Sequence, residues 1–290
     1  MVKSIANQEA IERFIRKVDE ARKQLNTEEN PPPQRTRTSP SEHHHIAESS
    51  RDKKDLTTWL GARCNDPAFT VSWNPQESNG NNPDLQDFFP QLKDHLLARA
   101  RSVAYEGDEH EFSEDDRDCI NIKDNFLYFH SLLRVNYTTY DLRREQDTIN
   151  PLTRPDILVL SHEDEKTHPY WYAHIIHIFH VMVQHRNNPS MVFSVPTCMN
   201  VLFVRWFRRD VNYPSGWNEK RLHRLQFFDQ ESPSDAFGFL NPESVVRGVH
   251  IIPAFGYART YDLLAGGSDG RRLRDEDDPN ADWKYYYMNM

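Results

Sequence analysis

Cysteine is scarce in this chain: Cys64, Cys119 and Cys198 stand far apart among 290 residues, with no CxxC pair. That spacing argues against a disulfide framework and against a zinc knuckle. No apolar run approaches the ~18 residues that a bilayer-spanning helix requires. The opening MVKSIANQEAIERF also lacks the apolar core of a secretory signal. An intracellular chain with no membrane partner is the expectation. Hydrophobic residues are few as well, at 37%, and the mean hydropathy is −0.82, below the usual globular range. Solvated segments beside a real core account for this, because aromatics at 12% are too many for a chain disordered throughout. Catalytic motifs are missing too. There is no HExxH, and the glycine-rich stretch GGSDG at 266–270, although its letters fit GxSxG, follows no convincing strand as a nucleophile elbow would and lacks the GK[ST] ending of a phosphate loop. Neither an enzyme nor a bound cofactor is expected.

What is present is concentrated in residues 168–207, where HPYWYAHIIHIFHVMVQH is followed by MNVLFVRWF. The β-branched residues Ile175, Ile176, Ile178, Val181 and Val183 suit a pleated surface better than a helix interior. The segment reads as two long strands, 170–184 and 199–207, paired across a loop. A helix over the same apolar run is the alternative.

The rest of the chain arranges itself around this hairpin. Ile11, Phe14, Ile15, Val18, Ala21 and Leu25 make residues 1–25 an amphipathic helix. Pro31, Pro32 and Pro33, with Ser, Thr, His and charge around them, mark 26–55 as a disordered linker. Residues 56–118 read as mostly helical, with an apolar stripe through Leu85, Phe88, Phe89, Leu92, Leu96 and Leu97. Pro90 falls inside that stripe and should kink or restart the helix. Ser113 and Asp116 form a capping-box pattern. From Cys119 the period changes to two. Strands are expected at 119–122 and 126–129, paired around a turn at 123–125. Further strands are expected at 132–142, 156–160, 225–228, 236–240 and 246–253, with 141–155 a polar loop. The fold class is therefore α+β: helices precede a small curled, barrel-like β domain over roughly 119–255, in a β-rich unit spanning 119–264. Residues 265–290 form a flexible tail with a terminal strand in WKYYYM.

Net charge is −9, yet residues 168–228 hold seven Lys/Arg against two acids, about +5. Local asymmetry of this kind marks an interaction face. Tyr170, Trp171, Tyr172 and Trp206 add aromatics beside Arg205, Arg208 and Arg209, and these seven are the candidate binding residues. Such rings could cage a methylated lysine, and the arginines could meet phosphate. An overall pI near 5.9 argues against a strong autonomous nucleic-acid binder. The competing reading is a metal-dependent enzyme using His174, His177 and His180. A strand period of two sets His174 and His180 on one face and His177 on the other, which counts against it.

The strings quoted above extend into a longer pattern: LRVNYTTYDLRREQDTINPLTRPDILVLSHED at 133–164, SGWNEKRLHRLQF at 215–227 and DAFGFLNPESVVRGVHIIPAF at 235–255. Together they resemble the C-terminal region of a family from mushroom-forming fungi associated with Plavaka-type (CACTA-like) and Kyakuja-Dileera-Zisupton DNA transposons. The YWYA and FVRWF hairpin is also similar to bromo-adjacent-homology domains. This resemblance implies an accessory module that lies apart from the transposase catalytic core. Its partners would be chromatin, DNA or a transposase-like protein, and its setting the nucleus. Two departures accompany it. The family has Gly where this chain has His177, and it continues past YYYMNM, which implies a truncated remnant as a further alternative.

Overall fold

The computed structural model describes residues 43–46, 52–63, 88–103, 111–138, 144–161, 168–216, 219–229, 236–263 and 282–289. The expected helix at 1–25, most of the 26–55 linker and the tail at 265–281 lie outside the described residues.

The first strands are β1 (His44–Ile46) and β2 (Asp52–Asp55), then α1 (Leu56–Gly61), α2 (Phe88–Ala100) and α3 (Glu114–Arg117). Next come β3 (Ile120–Ile122), β4 (Phe126–His130), β5 (Leu133–Thr138), β6 (Arg144–Ile149) and β7 (Asp156–Leu160). The hairpin is β8 (Tyr170–His185) and β9 (Thr197–Arg209), followed by β10 (His223–Phe227) and β11 (Phe237–Leu240). Last are β12 (Val245–Gly248), β13 (His250–Pro253), β14 (Arg259–Thr260), β15 (Asp282–Trp283) and β16 (Tyr286–Asn289). The chain is mostly β-sheet with few helices, and no helix among the described residues is long and apolar enough to cross a membrane.

β8 is the axis. One edge pairs with β9 along nearly its whole length, and the other pairs in turn with β7, β4 and β3. β3 and β4 therefore do not pair with each other, as a hairpin would. They follow one another along β8, joined by a turn in which Asp124 and Asn125 both adopt φ 57. The main sheet runs β12-β7-β8-β9-β10-β16-β13. Its end strands, β12 and β13, are separated only by Val249, whose N–H donates to the Asp156 carbonyl at 3.0 Å. The sheet curls until its two ends share one bent segment, but no ladder among the described residues closes it. The expected barrel is thus an open, curled sheet.

Three apolar clusters hold it. On one face of the hairpin, Leu56, Trp59 and Leu60 of α1 and Leu92, Leu96 and Leu97 of α2 pack against Phe179, Val181 and Phe203. Farther along the same face, Tyr172 and Phe207 join Leu225, Phe227, Tyr286 and Met288. The opposite face carries Ile175, Ile178, Leu202 and Val204 under Leu133, Val135 and Ile149 of a smaller sheet, ordered β1-β5-β6.

Several expectations need correction. Inside the expected disordered linker, β1 pairs with β5 and β2 with β4. Their polar side chains hide strands whose backbone hydrogen bonds are completed by an existing sheet edge. The expected polar loop at 141–155 contains β6, paired residue for residue with β5. The terminal strand expected in WKYYYM, by contrast, is present as β16, seated between β10 and β13. Pro90 lies in the first described turn of α2, and Leu85, the first residue of the expected stripe, lies outside the described residues. The capping box is present: Ser113 Oγ accepts from the Asp116 N–H at 3.2 Å and donates to its carboxylate at 2.7 Å.

Candidate nucleic-acid interface

The hairpin distributes the seven candidate residues by face. Cross-strand partners share a side, so the pairs Tyr172–Phe207 and His174–Arg205 set Tyr170, Tyr172, Arg205 and Arg209 on one face. Trp171, Trp206 and Arg208 lie on the other. The four aromatics therefore form no common cage. Trp171 and Trp206 meet edge to face at 6.2 Å over the smaller-sheet core. The Trp206 indole crosses Gly238, where a Cβ would stand 2.9 Å from Nε1. Tyr172 and Arg205 are buried, Arg205 to 1% exposure. Arg205 donates to Asp282 at 2.8 Å and lies 3.5 Å over the Phe227 ring. Burial removes both from any contact surface of the folded chain. Arg208 is exposed and reaches Asp229 at 3.2 Å.

The three histidines of the rival reading separate, though not along the expected line. A bulge between Ile175 and His177 adds a residue to β8, which reverses the alternation beyond it. His174 and His177 consequently share a face and His180 takes the opposite one. His174 Nδ1 lies 3.0 Å from the Asp156 carboxylate in the core. His177 packs edge-on to Trp59 and Phe129. His180 stacks on Tyr128 at 4.6 Å and hydrogen-bonds to His130 at 2.7 Å. Three imidazoles thus occupy three separate neighbourhoods, and no metal-holding group of three or more His, Cys, Asp or Glu occurs among the described residues.

Arg209 is in a different position from its neighbours. Arg205, Arg208 and Arg224 each meet a carboxylate, from Asp282, Asp229 and Asp210 respectively. Arg209 meets none among the described residues and acts electrostatically on His168, Tyr172 and His223. The His168 and His223 rings lie 4.5 Å apart. His168 Nε2 is hydrogen-bonded to the Tyr172 hydroxyl at 2.8 Å, and Ser215 Oγ to His223 Nδ1 at 2.9 Å. Burial, then His223 and Arg209, lower the His168 pKa to about 4. Burial and Arg209 likewise lower His223. Both rings are neutral near pH 7, so Arg209 supplies the positive charge of this cluster. A Ser–His pair whose imidazole is held below its ordinary range is a weak general base. The same groups, a guanidinium fork with imidazole and hydroxyl donors, suit an oxyanion.

Sequence reasoning identified Arg209 but missed His168, Ser215 and His223. They come from loops and the start of β10, and an antiparallel bridge between Gly216, at φ 101, and Arg221 brings Ser215 back to His223. A second missed group lies on the outer side of β10. Arg224 donates to Asp210 at 2.6 Å and sits among Tyr213, Tyr257 and Tyr285, at 4.1, 5.1 and 4.1 Å from their ring centres. An aromatic cage does exist, then, but other residues build it and the chain's own arginine fills it.

Comparison with protein families, with curated proteins and with solved structures finds no match for this chain.

Proposed function

We propose that this chain is a non-enzymatic, transposon-derived accessory module that binds DNA in the nucleus, built on a barrel-like curl of the main sheet. The observation that carries the reading is Arg209: a half-buried guanidinium without a carboxylate partner among the described residues, while Arg205, Arg208 and Arg224 beside it are neutralised. Phosphate complements such a group in charge and in its planar fork. The half-buried imidazole of His223 and hydroxyl of Ser215 would fix its position, while buried His168 packs behind them. Exposed Arg208 extends the positive edge. The chain's overall charge of −9 makes this binding modest, and the few phosphates neutralised give it a correspondingly shallow salt dependence, as befits an accessory module rather than an autonomous binder.

The test is a titration of fluorescent duplex DNA, free and wrapped in nucleosomes, with the purified full chain at low salt. Binding should weaken several-fold in Arg209→Ala and hold in Arg186→Ala, at the far end of the hairpin. Equal binding by the wild type and Arg209→Ala would remove Arg209 from the account.

A further inference from the structure

The end of the molecule that carries Arg224 has a second feature. Along the terminal strand, Tyr286 and Met288 are buried, so Tyr287 turns to the outer side; Tyr285 and Trp283 precede it across a bend, Trp283 half-buried against the core. Each is met by a ring from elsewhere: Phe255 on Trp283 at 5.0 Å, Tyr257 on Tyr285 at 5.2 Å and Tyr213 on Tyr287 at 6.2 Å. Phe255 and Tyr257 are 64% and 42% exposed, and Tyr261 beyond them is 60% exposed. Cations stand against these rings: Arg259 over Trp283 at 4.9 Å, Lys284 over Tyr285 at 5.6 Å and Arg221 over Tyr213 at 6.0 Å. Among the described residues, several carboxylates at this end are engaged. Asp210 holds Arg224, Asp229 holds Arg208, Asp282 holds Arg205, and Asp262 accepts from the Thr260 hydroxyl. Lys284 and Arg221 are exposed and have no carboxylate among the described residues.

We infer that this ladder of rings and cations is a docking surface for single-stranded nucleic acid, with unpaired bases stacking on Phe255, Tyr257 and Tyr261 and phosphates meeting Arg221 and Lys284. The inference rests on the DNA-binding reading and refines it. Bases in a duplex cover one another's faces and offer only edges and phosphates, so exposed ring faces contribute little to duplex binding. Phe255 and Tyr257 stand on a short 3-10 turn and Tyr261 follows β14, so the rings project from a bent segment rather than from a paired strand. Aromatic platforms beside cations are the common means of holding single-stranded nucleic acid. The turn presenting Phe255 and Tyr257 ends at Ala258, with φ 59 and ψ −177, a conformation costly for any residue but glycine. The fold tolerates that strain where it displays two aromatic side chains.

The experiment uses the full chain and one fluorescent mixed-sequence oligonucleotide, either single-stranded or annealed to its complement. The single strand should bind more tightly than the duplex. Phe255→Ala with Tyr261→Ala should weaken it about tenfold or more with unchanged melting temperature, while Phe255→Trp should retain it. Arg209→Ala should weaken both forms. Duplex binding at least as tight as single-strand binding, and indifferent to loss of the rings, would overturn this inference and leave the DNA-binding reading standing. No binding of either form at low salt would overturn both.

Discussion

Arg205, in the middle of the hairpin, is tied to Asp282 across 77 residues of sequence by a 2.8 Å hydrogen-bonded ion pair. The guanidinium also covers the Phe227 ring, so one buried cation joins β9, β10 and β15. Removing one partner of a buried pair strands the other charge. Asp282→Ala should therefore lower unfolding free energy by about 3–5 kcal/mol, read from urea denaturation. A loss under 1 kcal/mol would mean that Arg205 finds solvent or another acceptor.

The terminal strand makes a harsher test. β16 lies between β10 and β13 and supplies Tyr286 and Met288 to the core. Truncation before Asp282 should yield insoluble protein or protein without a cooperative thermal transition. A truncated chain that melts like the full one would show that β16 is dispensable.

Gly238 leaves space for an indole. With a Cβ only 2.9 Å from Trp206 Nε1, Gly238→Ala should displace that ring and cost about 1–3 kcal/mol by overpacking. Near-ultraviolet circular dichroism and the urea midpoint should change together. An unchanged midpoint would place the indole elsewhere.

His168 gives stability a pH dependence of known sign. Folded, its pKa falls from 6.5 to about 4, so between those values the unfolded chain holds a proton that the folded chain does not. This contribution is intact above about pH 6.5, is lost as pH drops towards 4, and is constant below that. His223, lowered as well, acts in the same direction. His168→Gln should therefore flatten the fall in unfolding free energy between about pH 7 and about pH 5, measured by denaturation at each pH. A slope equal to that of the wild type would exclude a buried neutral His168.

The hairpin, β7, β10, β11 and the capped α3 were legible because their periodicity and caps are local. β1, β2 and β6 were not: HHI, DKKD and REQDTI carry no apolar alternation, and only a waiting sheet edge makes them strands. The histidine faces were misassigned for a related reason. A strict period of two is correct until a bulge, and nothing in HIIH marks Ile176 as the extra residue. Among the candidate residues, type could be read but burial could not. Arg205 and Arg209 look alike in FVRWFRRD, and their roles part only when Asp282 arrives from the far end of the chain. His168, Ser215 and His223 meet through loops, which leave no periodic trace.

The central claim is that Arg209 meets phosphate, and its most direct test is the salt dependence of duplex DNA affinity. For the wild type, log K should fall linearly with log salt concentration. Arg209→Ala should bind more weakly and with a slope shallower by about 1, because one fewer phosphate is neutralised. An identical slope and affinity in the variant, or binding by the wild type that ignores salt, would contradict it.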